Sequence, residues 1–244
     1  MSSLYPLKFK PIFQEKIWGG NKIRSILKKD TGNLSNCGES WEISAVEGFI
    51  SEVANGFLAG NSLEELVEIY MGYLVGEKVY QKFGNEFPLL VKFIDAADDL
   101  SVQVHPNDEL AKKRHNAYGK SEMWYVIAAD EESLINPGFN QEITKEKFLD
   151  FFSQGRLMDL LQFEKVSPGD VYFVPAGQVH SIGKGILLAE IQQTSDVTYR
   201  IFDFNRKDSN GNERELHTDW AIDAINYNFR KDYKTQFIAE KNVS

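Results

Sequence analysis

The chain has 244 residues, of which 42% are hydrophobic and 26% charged, and its formal net charge is -9. These proportions are those of a globular protein that is long enough to bury a substantial core. The acidic balance argues against a nucleic-acid partner, because phosphate contacts need clustered cations. A membrane partner is not expected either, since no stretch approaches the roughly 18 consecutive apolar residues of a membrane span.

Cysteine usage and the N-terminus bear on the cellular compartment. Cys37 is the single cysteine and cannot form a disulfide within the chain, which favours a reducing environment. Residues 1–6 contain no basic segment followed by an apolar one, so the sequence predicts no signal peptide. We therefore expect a cytoplasmic protein.

The first hundred residues predict short strands and one helix. Apolar and alternating runs predict strands at 7–13, 41–44 and 89–94. The segment 61–65 has the pattern of a capping box, and apolar residues continue from it with helical spacing as far as Leu74. Gly72 and Gly76 interrupt the later part of this helix.

Residues 102–227 are predicted to form five strands and three helices. One helix is predicted at 107–118, capped by Asn107 or Asp108. A second is predicted to begin at Thr144, and Phe148 is expected on the buried side of this helix. Strands are predicted at 102–105, 123–128, 171–174, 185–192 and 197–204, and the last helix at 218–227. Because strands dominate, we expect a mainly β protein: a single domain over 1–244, a β-barrel with helical insertions near 61–82, 107–118 and 144–161.

Two histidines stand at the ends of β-segments, as a metal site inside a β-barrel requires. On an extended strand Gln103 and His105 are two residues apart, so their side chains leave the same face. In the second segment Gly169, Pro175 and Gly177 are turn residues that direct His180 inward. A lone histidine is more often a surface or core residue, but the two patterns together indicate metal binding.

A fourth donor is Glu122, at the entrance to an apolar strand. Two imidazoles, an amide oxygen and a carboxylate suit one zinc ion per chain, with iron, manganese or cobalt as alternatives. His115 lies among cations that would repel a metal, and His217 precedes a predicted helix, so neither is a candidate ligand.

Segment 169–180 is similar to the second conserved motif of the cupin superfamily, and residues 5–230 resemble type I mannose-6-phosphate isomerases in their compact bacterial form. The segments that carry the second resemblance are 18–20, 38–42, 100–107, 119–125 and 189–200. The resemblance implies a cupin (jelly-roll-like) barrel with zinc ligands Gln103, His105, Glu122 and His180. Members commonly continue into a further C-terminal β-domain, which we expect to be absent or truncated here.

The resemblance also implies the site chemistry. Arg200 matches the catalytic arginine of the family, and Lys120 and Glu190 match residues of the same pocket. Interconversion of mannose 6-phosphate and fructose 6-phosphate moves a proton between C1 and C2. Arg200 and the metal would stabilise the sugar oxygens at C1 and C2. Lys120 and Glu190 are candidates for proton transfer and for hydrogen bonding to the substrate. Ser101, Lys120 and Arg200, with Lys92, are candidates for binding a phosphorylated sugar substrate.

Other interpretations of these residues remain open. Arg200 could pair with Asp203 or Glu190, and Trp18 could stack on a sugar or belong to the core. A cupin that binds or senses a sugar without converting it would share the metal ligands, as would an iron-dependent oxygenase. We expect a monomer or a weak homo-oligomer.

Overall fold

The computed structural model describes residues 4–207 and 210–237, which form thirteen strands and seven α-helices. The strands are β1 (Ile12–Gly20), β2 (Cys37–Ile43), β3 (Ala45–Val46), β4 (Phe49–Ile50), β5 (Leu89–Ala96), β6 (Val102–Val104), β7 (Glu122–Ala129), β8 (Leu134–Phe139), β9 (Leu161–Lys165), β10 (Val171–Val174), β11 (Ser181–Ile182), β12 (Ile186–Gln193) and β13 (Tyr199–Phe202). The helices are α1 (Lys22–Ser25), α2 (Leu63–Tyr70), α3 (Gly72–Val75), α4 (Glu77–Phe83), α5 (Asp108–His115), α6 (Lys145–Ser153) and α7 (Thr218–Ala224), with a 3-10 turn at Leu157–Leu160. No helix formed by these residues is both long and apolar enough to cross a membrane.

The strands pair into one large antiparallel sheet and three smaller ones. The large sheet has the order β1-β2-β5-β12-β7-β10, and a second sheet has the order β11-β8-β9. Strands β6 and β13 pair with each other, as do β3 and β4. Most sheet neighbours are distant in sequence, which is the connectivity of a jelly-roll-like fold rather than of a simple meander.

The main core lies between the inner faces of the two largest sheets. Trp124, Tyr172 and Leu188 of the large sheet share one buried cluster with Ile135 and Ile182 of the β11-β8-β9 sheet. Leu188 is fully buried, and its replacement by alanine would cost about 2–5 kcal/mol of stability. This two-layer packing confirms the mainly β, cupin-like fold class.

The helices follow the predicted start signals. Ser62 accepts the Glu65 N–H at 3.2 Å and donates its own N–H to the Glu65 carboxylate at 2.8 Å, which completes the capping box of α2. The helix ends where Met71 adopts a φ of 50°, so the predicted insertion at 61–82 consists of three short helices. Asn107 caps α5 and Thr144 caps α6, each by accepting a backbone N–H.

Two parts of the chain depart from the sequence-based expectation. The first strand begins at Ile12, and the rest of the segment 7–13 forms only an isolated bridge through Phe9. Pro6 and Pro11 lack the N–H that a regular ladder needs. Strands β8 and β9 were not predicted, because Pro137 and Gly138 interrupt the apolar pattern of β8. The structure accommodates them at a register shift between β8 and β9.

Candidate metal centre

The two predicted ligand histidines lie side by side at one end of the sheet stack. His105 directly follows β6, and His180 directly precedes β11. Gln103 and His180 form an antiparallel bridge, which brings the two segments together through the main chain. The centroids of the two imidazole rings are 4.9 Å apart, and both side chains are buried.

Glu122 completes a compact cluster with these histidines. It is the first residue of β7 and pairs with Val174 of β10. Its Oε1 lies 3.2 Å from His105 Nε2 and its Oε2 lies 3.6 Å from His180 Nε2. One ligand atom from each of the three side chains lies within 4.8 Å of the others, which is the spacing of groups that can share one cation.

Gln103 lies at the edge of this cluster. Its side-chain amide is 3.3 Å from His180 Nε2, and its Oε1 accepts a hydrogen bond from the Ser101 hydroxyl at 3.4 Å. The structure therefore brings all four predicted ligands together. His115 and His217 lie elsewhere: His115 Nε2 is 2.8 Å from the Tyr199 hydroxyl, and His217 Nδ1 accepts the Arg200 N–H.

Both ligand histidines direct their Nε2 atoms at the cluster. His105 Nδ1 lies 2.9 Å from the Val197 carbonyl, and His180 Nδ1 lies 2.8 Å from the Gln178 carbonyl. A carbonyl only accepts, so each Nδ1 carries the proton and each Nε2 keeps its lone pair. Backbone carbonyls commonly orient metal-binding histidines in this way.

The electrostatics of the cluster keep its donors in the form that binds a cation. Burial, with the nearby Lys120 ammonium, lowers the pKa of His105 to about 3, and burial lowers the pKa of His180 as well. Burial acts to raise the pKa of Glu122, but the ammonium of Lys120 holds it well below its usual value. The result is two neutral imidazoles and one carboxylate.

These residues fit a divalent cation. Glu122 Oε2 is buried and has no hydrogen-bond partner among the described residues, so this acceptor is available to a cation. Lys120 Nζ contacts Glu122 Oε1 and lies 3.1 Å from His105 Nε2. Because these are the atoms that would ligate a cation, the ammonium and a metal ion compete for the same lone pairs.

A cavity of about 320 Å³ opens beside the cluster. Gln103 lines it, and so do the predicted substrate and catalytic residues Ser101, Lys120, Glu190 and Arg200. Its cationic side chains are Lys16, Lys92, Lys120, Arg200 and Arg214. Three acidic side chains also line it, those of Glu39, Glu190 and Asp196. Cations therefore outnumber carboxylates in the cavity although the whole chain has a net charge of -9, as an anionic ligand would require.

Glu190 is held in the cavity wall by Lys92, not by Arg200. Lys92 Nζ is 3.0 Å from Glu190 Oε1 and 3.8 Å from Glu39 Oε1. The indole N–H of Trp124 donates to Glu190 at 2.8 Å, and that of Trp41 donates to Glu39 at 2.7 Å. Burial acts to lower the pKa of Lys92, but the carboxylates of Glu190 and Glu39 raise it above its usual value.

Three residues that line the cavity were not predicted as site residues: Glu39, Trp41 and Arg214. Glu39 and Trp41 belong to segment 38–42, one of those that carried the family resemblance, and this was the one available signal for them. Nothing comparable marked Arg214. Arg200 pairs with neither proposed carboxylate by a salt bridge in the described residues; its Nη1 donates to the Glu215 carbonyl at 2.8 Å.

The fold and the cluster define a mainly β, cupin-like protein with a candidate metal centre. Residues 6–132 match the model of the type I phosphomannose isomerase catalytic domain. The chain is 45% identical over 221 residues to mannose-6-phosphate isomerase ManA of Bacillus subtilis, and this match covers 90% of the chain and 68% of that protein. The chain therefore belongs to the type I phosphomannose isomerase family and is an isomerase.

Further relatives agree with this assignment. The mannose-6-phosphate isomerase of Streptococcus mutans is 41% identical over 224 residues, covering 90% of the chain and 67% of that protein. The crystal structure of mannose 6-phosphate isomerase from B. subtilis superposes with a TM-score of 0.83 at 37% identity, covering 93% of this chain and 71% of that one. A putative mannosephosphate isomerase from Archaeoglobus fulgidus gives a TM-score of 0.78 at 25% identity, covering 97% of this chain and 74% of that one.

Proposed function

We propose that this chain interconverts mannose 6-phosphate and fructose 6-phosphate with the help of one zinc ion. The observation that carries the proposal is the buried cluster of His105, Glu122 and His180 beside a cavity with five cationic side chains. The names of the B. subtilis and S. mutans relatives support the choice of substrate.

We assign the zinc ligands as Gln103, His105, Glu122 and His180. Neutral imidazoles, a carboxylate and an amide oxygen form a mixed nitrogen and oxygen set that suits zinc. A bound zinc ion would act as a Lewis acid toward the oxygens of the sugar. The roles of the protein side chains follow from their positions around the cavity.

Arg200 is assigned to stabilise negative charge on the reacting oxygens. Isomerisation removes a proton from C2 of the open-chain aldose and adds one to C1, while the carbonyl moves from C1 to C2. Negative charge develops on the oxygens at C1 and C2 during this transfer. A fixed guanidinium in the cavity wall can stabilise that charge without reorganising, which is an effective form of catalysis.

Lys120 and Glu190 are assigned to proton transfer and substrate hydrogen bonding. Lys120 lies beside the ligand cluster, 3.1 Å from His105 Nε2, and Glu190 lies between Lys92 and Trp124. Both side chains line the cavity, so both can reach a sugar bound there. Ser101, Lys120 and Arg200 would contact the substrate directly.

We also propose that residues 1–244 act as one domain in the cytoplasm, as a monomer or weak homo-oligomer without nucleic-acid or membrane partners. The unpaired, buried Cys37 supports a reducing compartment. Size-exclusion chromatography with light scattering measures the oligomeric state.

The decisive experiment compares the purified chain before and after removal of its metal by a chelator. Conversion of mannose 6-phosphate to fructose 6-phosphate should be lost on chelation and return when zinc is added. Turnover that persists without any bound metal would refute the role assigned to the four ligands. Binding of the sugar phosphate without turnover, in the zinc-loaded chain, would favour the non-catalytic alternative.

A further inference from the structure

Asp203 holds two arginine side chains at the rim of the cavity. Its carboxylate accepts hydrogen bonds from Arg214 Nε at 2.7 Å and Nη2 at 2.5 Å, and from Arg206 Nη2 at 2.6 Å. Asp203 is 5% exposed. A buried carboxylate with several guanidinium donors fixes the orientation of both side chains.

Three arginine side chains lie around this carboxylate. Arg200 interacts electrostatically with Arg206 and Arg214, and both Arg206 and Arg214 form ion pairs with Asp203. Both Arg200 and Arg206 have a buried Nε atom that forms no hydrogen bond within the part of the chain that the structure describes. Burial, and then the charges of Arg214 and Arg206, lower the pKa of Arg200, although Asp203 and Glu215 act in the opposite direction.

Two of these arginines face the cavity. Arg200 and Arg214 both line it, together with Ser101, whose side chain is buried. Asp203 accepts hydrogen bonds from Nε and Nη2 of Arg214. No hydrogen bond joins Arg214 Nη1 to the described residues 4–207 and 210–237, so its two N–H groups can donate to a ligand. Arg206 instead donates to the backbone of Asp99 and does not line the cavity, so it supports the cluster from outside.

We propose that Arg214, oriented by Asp203, forms an anion subsite at the rim of the cavity that binds the phosphate group of the sugar substrate. This inference rests on the proposed function and deepens it. A phosphate dianion is attracted by the cationic side chains of Arg200 and Arg214, and its oxygens match the planar fork of a guanidinium. Asp203 is a positioning residue, because it acts on the ligand through Arg214.

The test measures binding of inorganic phosphate to the zinc-loaded chain by isothermal titration calorimetry. Replacing Arg214 by glutamine (R214Q) should weaken binding by about tenfold to a hundredfold, the range of one charge-assisted hydrogen-bonding group. The matched control is R156Q. Arg156 also pairs with an aspartate, Asp159, at 2.9 Å, but it does not line the cavity, so binding should be unchanged.

A kinetic measurement separates substrate binding from general loss of structure. In R214Q the KM for mannose 6-phosphate should rise by the same factor as the phosphate dissociation constant, while kcat falls much less. Asp203→Asn should raise KM in the same direction through misplacement of Arg214. If R214Q does not fold, R214K decides the question, since lysine keeps the charge but lacks the fork.

The outcomes are distinct for the two proposals. Phosphate binding at unaltered affinity in folded R214Q or in R214K would overturn the subsite, and so would the absence of phosphate binding to the unaltered chain. Phosphate binding that depends on Arg214, in a chain that does not convert mannose 6-phosphate, would refute the proposed isomerase reaction and leave the subsite intact.

Discussion

Gln103 and His180 exchange two backbone hydrogen bonds, each 3.0 Å long, although 77 residues separate them. This bridge places the side-chain Nε2 atom of Gln103 3.3 Å from Nε2 of His180. The main chain therefore fixes the positions of two candidate ligands independently of their side chains. Substitution of a ligand should remove the metal while the fold persists.

His180→Ala tests this separation directly. We expect zinc affinity to fall at least about a hundredfold, because loss of a ligand exceeds the effect of losing an outer-shell partner. Zinc per chain is measured by elemental analysis after dialysis, with circular dichroism to follow the fold. His115→Ala is the control, since His115 bonds to Tyr199 away from the cluster. A full equivalent of zinc in His180→Ala would exclude His180 as a ligand.

Removal of the metal should lower thermal stability. Zinc at about 100 times its dissociation constant should stabilise the folded chain by about 2.7 kcal/mol, which corresponds to a melting temperature higher by about 5–10 °C for a chain of this size. The measurement is calorimetry with and without chelator. In Glu122→Gln the zinc-dependent rise in melting temperature should disappear. A rise as large as that of the unaltered chain would contradict the assignment of Glu122 as a ligand.

The cluster of candidate ligands was predictable because short-range geometry determines most of it. Residues two apart on a strand share a face, which placed Gln103 beside His105, and the turn residues around Pro175 placed His180. The capping pattern at Ser62 likewise determined the start of α2. In each case the relevant atoms lie within a few residues of the signal.

The rest of the site depends on contacts between distant segments. Glu39 meets Lys92 because β2 pairs with β5 in the large sheet, and single-sequence patterns do not specify strand order. Arg214 reaches the cavity through its ion pair with Asp203, in a segment without a regular element. Sequence spacing carries no information on either contact.

Lys92→Met should destabilise the fold strongly. Lys92 is 7% exposed, and its removal leaves the buried carboxylates of Glu39 and Glu190 without their shared cation. Breaking a buried ion pair in this way costs about 3–5 kcal/mol, measured by urea denaturation. The double variant Lys92→Met/Glu190→Gln should recover part of this loss. A cost below about 1 kcal/mol, typical of exposed pairs, would show that the network contributes little.

Glu39→Gln should make stability less dependent on pH. Burial acts to raise the pKa of Glu39, but Lys92 and Lys16 lower it below its usual value of 4.5. The charged form is therefore stabilised in the folded state. Its contribution is fully present above about pH 4.5 and is lost as pH falls through the lower folded-state pKa.

The measurement is the difference in unfolding free energy between the unaltered chain and Glu39→Gln. Glutamine can still accept the Trp41 indole hydrogen bond, so the comparison isolates the charge. We expect a difference of about 1–3 kcal/mol at neutral pH that shrinks near pH 3. A difference that stays constant over this range would mean that ionisation of Glu39 does not stabilise the fold.

Arg200→Ala should reduce catalysis far more than stability. The backbone N–H of Arg200, not its guanidinium, donates to His217 Nδ1 at 3.1 Å, and this bond survives the substitution. Loss of the guanidinium bond to the Glu215 carbonyl should cost about 1 kcal/mol, whereas kcat/KM should fall about 10²–10³-fold. Arg114→Ala is the control, because Arg114 pairs with Asp223 outside the cavity. A turnover rate near that of the unaltered chain would remove Arg200 from the mechanism, because Arg200→Ala introduces no other cation that could replace the lost guanidinium.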